Sequence, residues 1–173
     1  FIEKFKAHLN AAYEGNSLGK IGKIVSQNQI KHLAGYLEAT PEKVIYGGHY
    51  DLETRHFEAT LMDNVNWDDQ VMQQEIFGPI LPIMIYNDIE EALEEINSRP
   101  KPLALYVFTE DQEFADYVLD HTTSGDAEIN SAIIHVGSHY LPFGGVGTSG
   151  MGKYHGKFSF ECFSHSRSVL QEI

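Results

Sequence analysis

The 173-residue sequence predicts an α/β fold: an open, mainly parallel sheet with flanking helices. Short apolar runs bounded by turn residues alternate with amphipathic segments of about ten residues, the pattern of strands joined by crossover helices. Apolar residues make up 42% of the chain, enough for an ordinary core. No internal repeat or low-complexity tract interrupts the pattern, and the length suits about one domain of roughly 150 residues.

Taken in order, Phe1–Tyr13 reads as an amphipathic helix, with Phe1, Ile2, Phe5, Leu9 and Ala12 at three- and four-residue steps, ended by Glu14-Gly15-Asn16. Gln29–Glu38 is a second helix, its face formed by Ile30, Leu33, Ala34 and Leu37, and Pro41 stops it. Lys43–Tyr46 is a short strand closed by Gly47-Gly48, and Phe57–Met62 alternates as a strand should. After a polar loop, Gln74-Glu75-Ile76-Phe77-Gly78-Pro79 leads into an apolar strand, Ile80–Tyr86. Asn87-Asp88 caps a helix over Ile89–Ser98, Leu103–Phe108 is a buried strand, and Thr109 caps a helix over Asp111–His121. Ala127–Asn130 is a short strand, a glycine-rich loop runs to about Phe158, and Phe160–Leu170 reads as extended.

Acidic residues outnumber basic ones 25 to 12, a net charge of −13, so phosphate backbones would be repelled and a nucleic-acid partner is not expected. The single cysteine, Cys162, excludes an internal disulfide framework and a cysteine-rich metal site, and fits a reducing, cytoplasmic setting. No apolar run is long enough to span a bilayer. Phe1 stands in the middle of a helical pattern, so the chain reads as a fragment.

Several constellations invite chemistry. Gly145-Val146-Gly147-Thr148-Ser149-Gly150 matches G-x-G-x-x-G, but Pro142 spoils a preceding strand and the glycines after it spoil a helix. A sterically constrained loop is the better reading. The nine histidines include no metal-binding helical pair, so they are expected on the surface or in loops and no metal is expected. Ser149 is not in a nucleophile elbow. Cys162 is expected as a buried or half-buried thiol, with His165 pointing to the opposite face of extended chain. Glu75 stands on a turn before a strand, which leaves a capping or solvated role and a ligand contact both open.

Three segments together resemble the NAD(P)-dependent aldehyde dehydrogenases. Gln74–Pro79 resembles the E-x-F-G-P motif, Lys101–Phe108 the strand that follows, and Leu141–Gly152 the P-F-G-G-x-G-x-S-G-x-G loop. Tyr154-His155-Gly156-Lys157, with Ser159-Phe160-Glu161 and Phe163-Ser164-His165, is similar to the class 3 branch acting on fatty and aromatic aldehydes.

The resemblance implies oxidation of an aldehyde to a carboxylic acid, in which a cysteine thiolate forms a thiohemiacetal, hydride passes to NAD or NADP, and glutamate-activated water hydrolyses the thioester. In the family the nucleophile, the base and the oxyanion-hole asparagine lie further upstream of the E-x-F-G-P motif than Phe1 lies from Glu75. None of the three is matched in this sequence, and Cys162 falls after the glycine loop, so no catalytic residue is assigned. Carried over are Glu75, as the acceptor of the nicotinamide ribose hydroxyls, and Phe77, packing beside that ribose. Phe143 corresponds to a residue lining a passage for a hydrophobic aldehyde, with Ile133 and Val136 as neighbours. His155 stands at the mouth of that passage or has a structural role, and Asn130 holds the loop. Asp126 stands where the family often has a second glycine after Ser124-Gly125.

The resemblance divides the chain into a partial catalytic domain, 1–160, and a strand, 161–173, that pairs across a homodimer, with the N-terminal NAD(P)-binding domain absent. The fragment alone is then expected to be inactive. A non-catalytic dimerising module and an acylating semialdehyde dehydrogenase are the alternatives.

Overall fold

Helices form where apolar spacing and capping agree. In a computed structural model describing residues 1–172, helix α1 (Ile2–Tyr13) ends at Glu14 in left-handed backbone, φ 52°, and buries none of its side chains. Helix α2 (Gln27–Ala39) starts at Ser26, whose Oγ accepts from the Gln29 N–H at 3.1 Å. It buries Ile30, Leu33, Ala34, Tyr36 and Leu37, and Pro41 opens a 3-10 turn directly after it.

Strands β1 (Val44–Tyr46), β2 (Tyr50–Asp51), β3 (His56–Phe57), β4 (Thr60–Met62) and β5 (Ile80–Pro82) follow. A three-stranded sheet runs β1-β4-β5, with β1 antiparallel to β4 and β4 parallel to β5. β2 and β3 form a separate hairpin. The strand expected over Phe57–Met62 is thus two strands in different sheets. The break falls at Glu58-Ala59, where the buried Glu58 carboxylate accepts from the backbone N–H and ring Nδ1 of His49. A buried carboxylate needs such donors, and taking them turns the chain. β5 is also shorter than the apolar run, because Pro82 has no N–H for the ladder. The core of this unit, residues 1–85, is built on Ile30, Leu33, Phe57, Met62, Val71 and Ile80.

Lys43 Nζ lies 2.5 Å from Asp69 Oδ2, which also accepts from the Asn66 N–H. The bond from the Lys43 ammonium, then that from Asn66, holds the Asp69 carboxyl below the usual carboxylate range against the opposing effect of burial. Its folded value is therefore lower than its unfolded value. The contribution to stability is complete above about pH 4 and is lost as pH falls through the folded value. Asp69→Asn is expected to lower stability at pH 7 by about 1–3 kcal/mol and to flatten the acid limb, as read by urea unfolding across pH 2–7. An unchanged acid limb would show the pair to be inert.

The second unit starts at Tyr86. Helix α3 (Ile89–Asn97) is capped by Asp88, which accepts from the Glu90 N–H at 2.7 Å. Strand β6 (Ala104–Val107), helix α4 (Gln112–Asp120) and strand β7 (Asp126–Ile129) form a β-α-β crossover, with β6 and β7 parallel. Asp111 rather than Thr109 caps α4, accepting from the Glu113 and Phe114 N–H groups, while Thr109 Oγ1 accepts from the Asp111 N–H. Leu93, Val107, Ala115 and Val118 form this unit's core.

Beyond β7 the chain loops through residues 130–155, and Phe143 and Tyr154 bridge antiparallel. Helix α5 (Gly156–Cys162) then overturns the expectation of extended chain from Phe160. Ser159 Oγ accepts from the His155 N–H at 2.8 Å and Lys157 pairs with Glu161 at i,i+4, so local contacts favour a turn of helix. Residues 163–172 are exposed and outside any strand, and Ile173, the last residue of the expected pairing strand, lies outside the described residues. Among the described residues no helix is long and apolar enough to cross a membrane.

Candidate functional site

In the first unit the candidate is a loop whose backbone is pinned while two side chains are presented. Ile76 packs on the core of its unit, and Gln29 Nε2 donates to the Ile76 carbonyl at 2.9 Å and to the Phe77 carbonyl at 3.4 Å. At Gly78 an added Cβ would lie 2.4 Å from Cδ1 of Leu33, a fully buried side chain, so a larger residue there would have to displace Leu33 in the core. Pro79 then directs the chain into β5.

What this pedestal holds up is polar and apolar in turn. Glu75 is exposed, and neither of its oxygens has a hydrogen-bond or ion-pair partner among the described residues. It caps no helix, which answers one of the two structural roles left open by the sequence. Phe77 is 72% exposed and sits at φ 47°, left-handed backbone. That conformation costs an aromatic residue about 1–2 kcal/mol. Burial of the ring does not offset this. A free carboxylate beside an exposed aromatic suits a ligand with a vicinal diol and a flat ring, since the ionised group only accepts and has room for two donors.

The second unit carries the remaining candidates. Asn130, at φ 56°, bonds the Thr109 backbone in both directions, its Oδ1 accepting from N–H at 2.9 Å and its Nδ2 donating to the carbonyl at 2.8 Å. It ties the ends of β6 and β7 together, the loop-holding role expected of it. Ile133 follows at φ 72°, where a β-branched residue is a genuine outlier, and is 70% exposed. Val136 is also exposed, on a 3-10 turn (Ile134–Gly137).

Phe143 and His155 are brought together. Their rings stack at 5.4 Å with 17° between planes, and Tyr154 meets Phe143 edge-on at 5.7 Å. The bridge between Phe143 and Tyr154 has both bonds at 2.9 Å. His155 is half-buried in left-handed backbone, φ 89°.

His135, expected on the surface or in a loop, lies in the loop after β7 but is buried there, with its ring 5.9 Å from those of Phe143 and Tyr106. Its backbone N–H and Nδ1 both bond Glu128 Oε1, and Nε2 lies 3.9 Å from Asp126 Oδ2. Burial pushes the Glu128 carboxyl up. The His135 N–H, the Ser131 hydroxyl and the His135 ring outweigh it, and the net value is below the ordinary carboxylate range. Lys153 Nζ reaches Asp126 Oδ1 at 3.3 Å and donates to the Gly125 and Gly144 carbonyls. Carboxylates at alternate positions of β7, Asp126 and Glu128, share a face and carry the only sequence signal for this cluster.

The glycine loop is the constrained turn expected of it. Gly147–Ser149 is a 3-10 turn, and the Ser149 hydroxyl bonds both the N–H and the carbonyl of Val146 at 3.0 Å. Cys162 is exposed at the end of α5, not buried or half-buried, because the helix turns it to solvent. Among the described residues no cluster of three metal-ligating side chains is present.

The family model for the aldehyde dehydrogenase family matches residues 1–169. The chain is 44% identical over 149 residues to the 4,4'-diaponeurosporen-aldehyde dehydrogenase of Staphylococcus aureus, covering 86% of this chain and 32% of that protein. It is 44% identical over 171 residues to the dimeric NADP-preferring aldehyde dehydrogenase of the dog, Canis lupus familiaris, covering 98% of this chain and 37% of that protein. The structure is similar to the substrate-bound state of Staphylococcus aureus AldH, with a TM-score of 0.81, 43% identity, and coverage of 88% of this chain and 34% of that one. The chain thus spans about a third of the length of these relatives.

Proposed function

Because the chain belongs to the aldehyde dehydrogenase family, we propose that it forms part of an NAD(P)-dependent enzyme that oxidises hydrophobic aldehydes to carboxylic acids. The observation that carries this is the pinned loop that leaves both oxygens of Glu75 free beside the exposed Phe77 ring. The bound coenzyme would supply the hydride acceptor. Glu75 holds its nicotinamide ribose by accepting from the two ring hydroxyls, and Phe77 covers the apolar side of that sugar. Phe143, Ile133 and Val136 line the aldehyde's path, where apolar burial at ~25 cal/mol per Å² favours hydrophobic substrates. His155, stacked on Phe143, fixes that ring's orientation. The exposed segment 163–170, outside any strand, pairs with a second copy, in keeping with the word dimeric in a relative's name.

The test is product analysis on the full-length protein that contains this chain. Free acid formed together with NAD(P)H is the expected result. Acyl-thioester or acyl-phosphate product would contradict it. The 173-residue chain alone is expected to be inactive, since its one thiol, Cys162, is an exposed helix-end residue with no base bonded to it among the described residues. Aldehyde-dependent NAD(P)H formation by the chain alone would overturn the assignment of roles.

A further inference from the structure

The proposed roles of Ile133, Val136 and Phe143 leave one buried cluster without a function. Glu128 and His135 do no chemistry in that reading, yet they are the most enclosed charged and polar pair of their unit. Their side chains are 9% and 6% exposed. Glu128 Oε2 and His135 Nε2 have no hydrogen-bond partner among the described residues. An incompletely satisfied polar pair costs stability, so its presence needs a reason other than stability.

The geometry supplies one. Glu128 bonds both the backbone N–H and the ring of His135, the inward residue of the turn that carries Ile133 and Val136 outward. The turn is closed by the Val136 N–H to the Ile133 carbonyl at 3.1 Å, so fixing His135 fixes both aliphatic side chains. The His135 ring also meets Phe143 and Tyr106. Asp126 faces Nε2, and Asp126 in turn accepts from the Gly144 N–H and Lys153, which hold the loop following Phe143.

We propose that Glu128 and His135 are positioning residues that set the apolar wall of Ile133, Val136 and Phe143, and so set how long an aldehyde the enzyme accepts. This rests on the functional reading above. A long aliphatic aldehyde touches the wall along its chain, whereas a three-carbon one does not reach far along it. Each methylene contact is worth about fourfold in affinity, so a wall displaced from two methylenes costs about fifteenfold.

The experiment compares Glu128→Gln and His135→Asn with wild type in the full-length protein, using octanal and propanal. Glu128→Gln keeps an acceptor for the His135 N–H. Expected for both variants is a rise of about fifteenfold in KM for octanal. KM for propanal, KM for the coenzyme and kcat with either aldehyde stay within about twofold. A purely structural role would lower kcat equally for both aldehydes, and that result, or unchanged kinetics, overturns the inference. If His135→Asn does not fold, Glu128→Gln decides alone. A wild type that reduces no coenzyme with either aldehyde overturns the functional reading, and the inference with it. An active wild type with a variant KM that does not depend on chain length overturns the inference only.

Discussion

Gly145→Ala is expected to destabilise the protein by about 3 kcal/mol and to abolish most activity toward hydrophobic aldehydes. An added Cβ would lie 2.1 Å from the Ser149 carbonyl oxygen, 2.2 Å from its carbon and 2.5 Å from the Gly150 nitrogen. All three are backbone atoms, so no side-chain rotation relieves the clash and the turn must open. Opening it breaks the pair of bonds between the Ser149 hydroxyl and Val146, close in sequence to the Phe143 bridge to Tyr154. Gly147→Ala is the matched comparison. That residue is in left-handed backbone, φ 61°, but its Cβ would meet only the Lys101 side chain at 3.7 Å. It is expected to cost about 1 kcal/mol, the backbone penalty alone. Urea unfolding of the two variants reads the difference, and equal costs would show that the close approach at Gly145 does not hold the loop.

Glu75→Gln is expected to raise KM for NAD(P)+ by about 10- to 100-fold in the full-length protein while leaving its unfolding midpoint unchanged. The amide keeps one acceptor oxygen and loses the charge that strengthens two bonds from vicinal hydroxyls, a loss of about 1.5–3 kcal/mol. Stability is spared because Glu75 has no partner among the described residues to lose. The loop's own seat is built elsewhere, from Ile76, Gln29 and Gly78 against Leu33. A variant with normal KM would place the coenzyme contact on another residue.

Local sequence is legible where one residue decides one feature. Asp88 and Pro41 mark helix boundaries because capping and the missing proline N–H act within a single turn. The β6-α4-β7 crossover follows from apolar spacing alone. Gly78-Pro79 announces its turn. What depends on distant partners is not legible. Phe57–Met62 alternates like one strand, but the pull of His49 on Glu58 divides it. Gly156 reads as a helix breaker, yet α5 starts there because Ser159 bonds back to His155. The burial of His135 within its loop is not legible because it depends on Glu128 and the facing rings, not on its neighbours in sequence. The left-handed backbone at Phe77 and Ile133 has no sequence signature, since both residue types ordinarily avoid it.

The most direct test is a crystal structure of the full-length protein with NAD+ bound, read at one place. Both Glu75 carboxylate oxygens are expected at hydrogen-bond distance from the nicotinamide ribose hydroxyls, roughly 2.5–3.0 Å, with the Phe77 ring against the same sugar. A coenzyme whose ribose hydroxyls are held by other side chains, with Glu75 left in solvent, would contradict the role given to Glu75 and the function built on it.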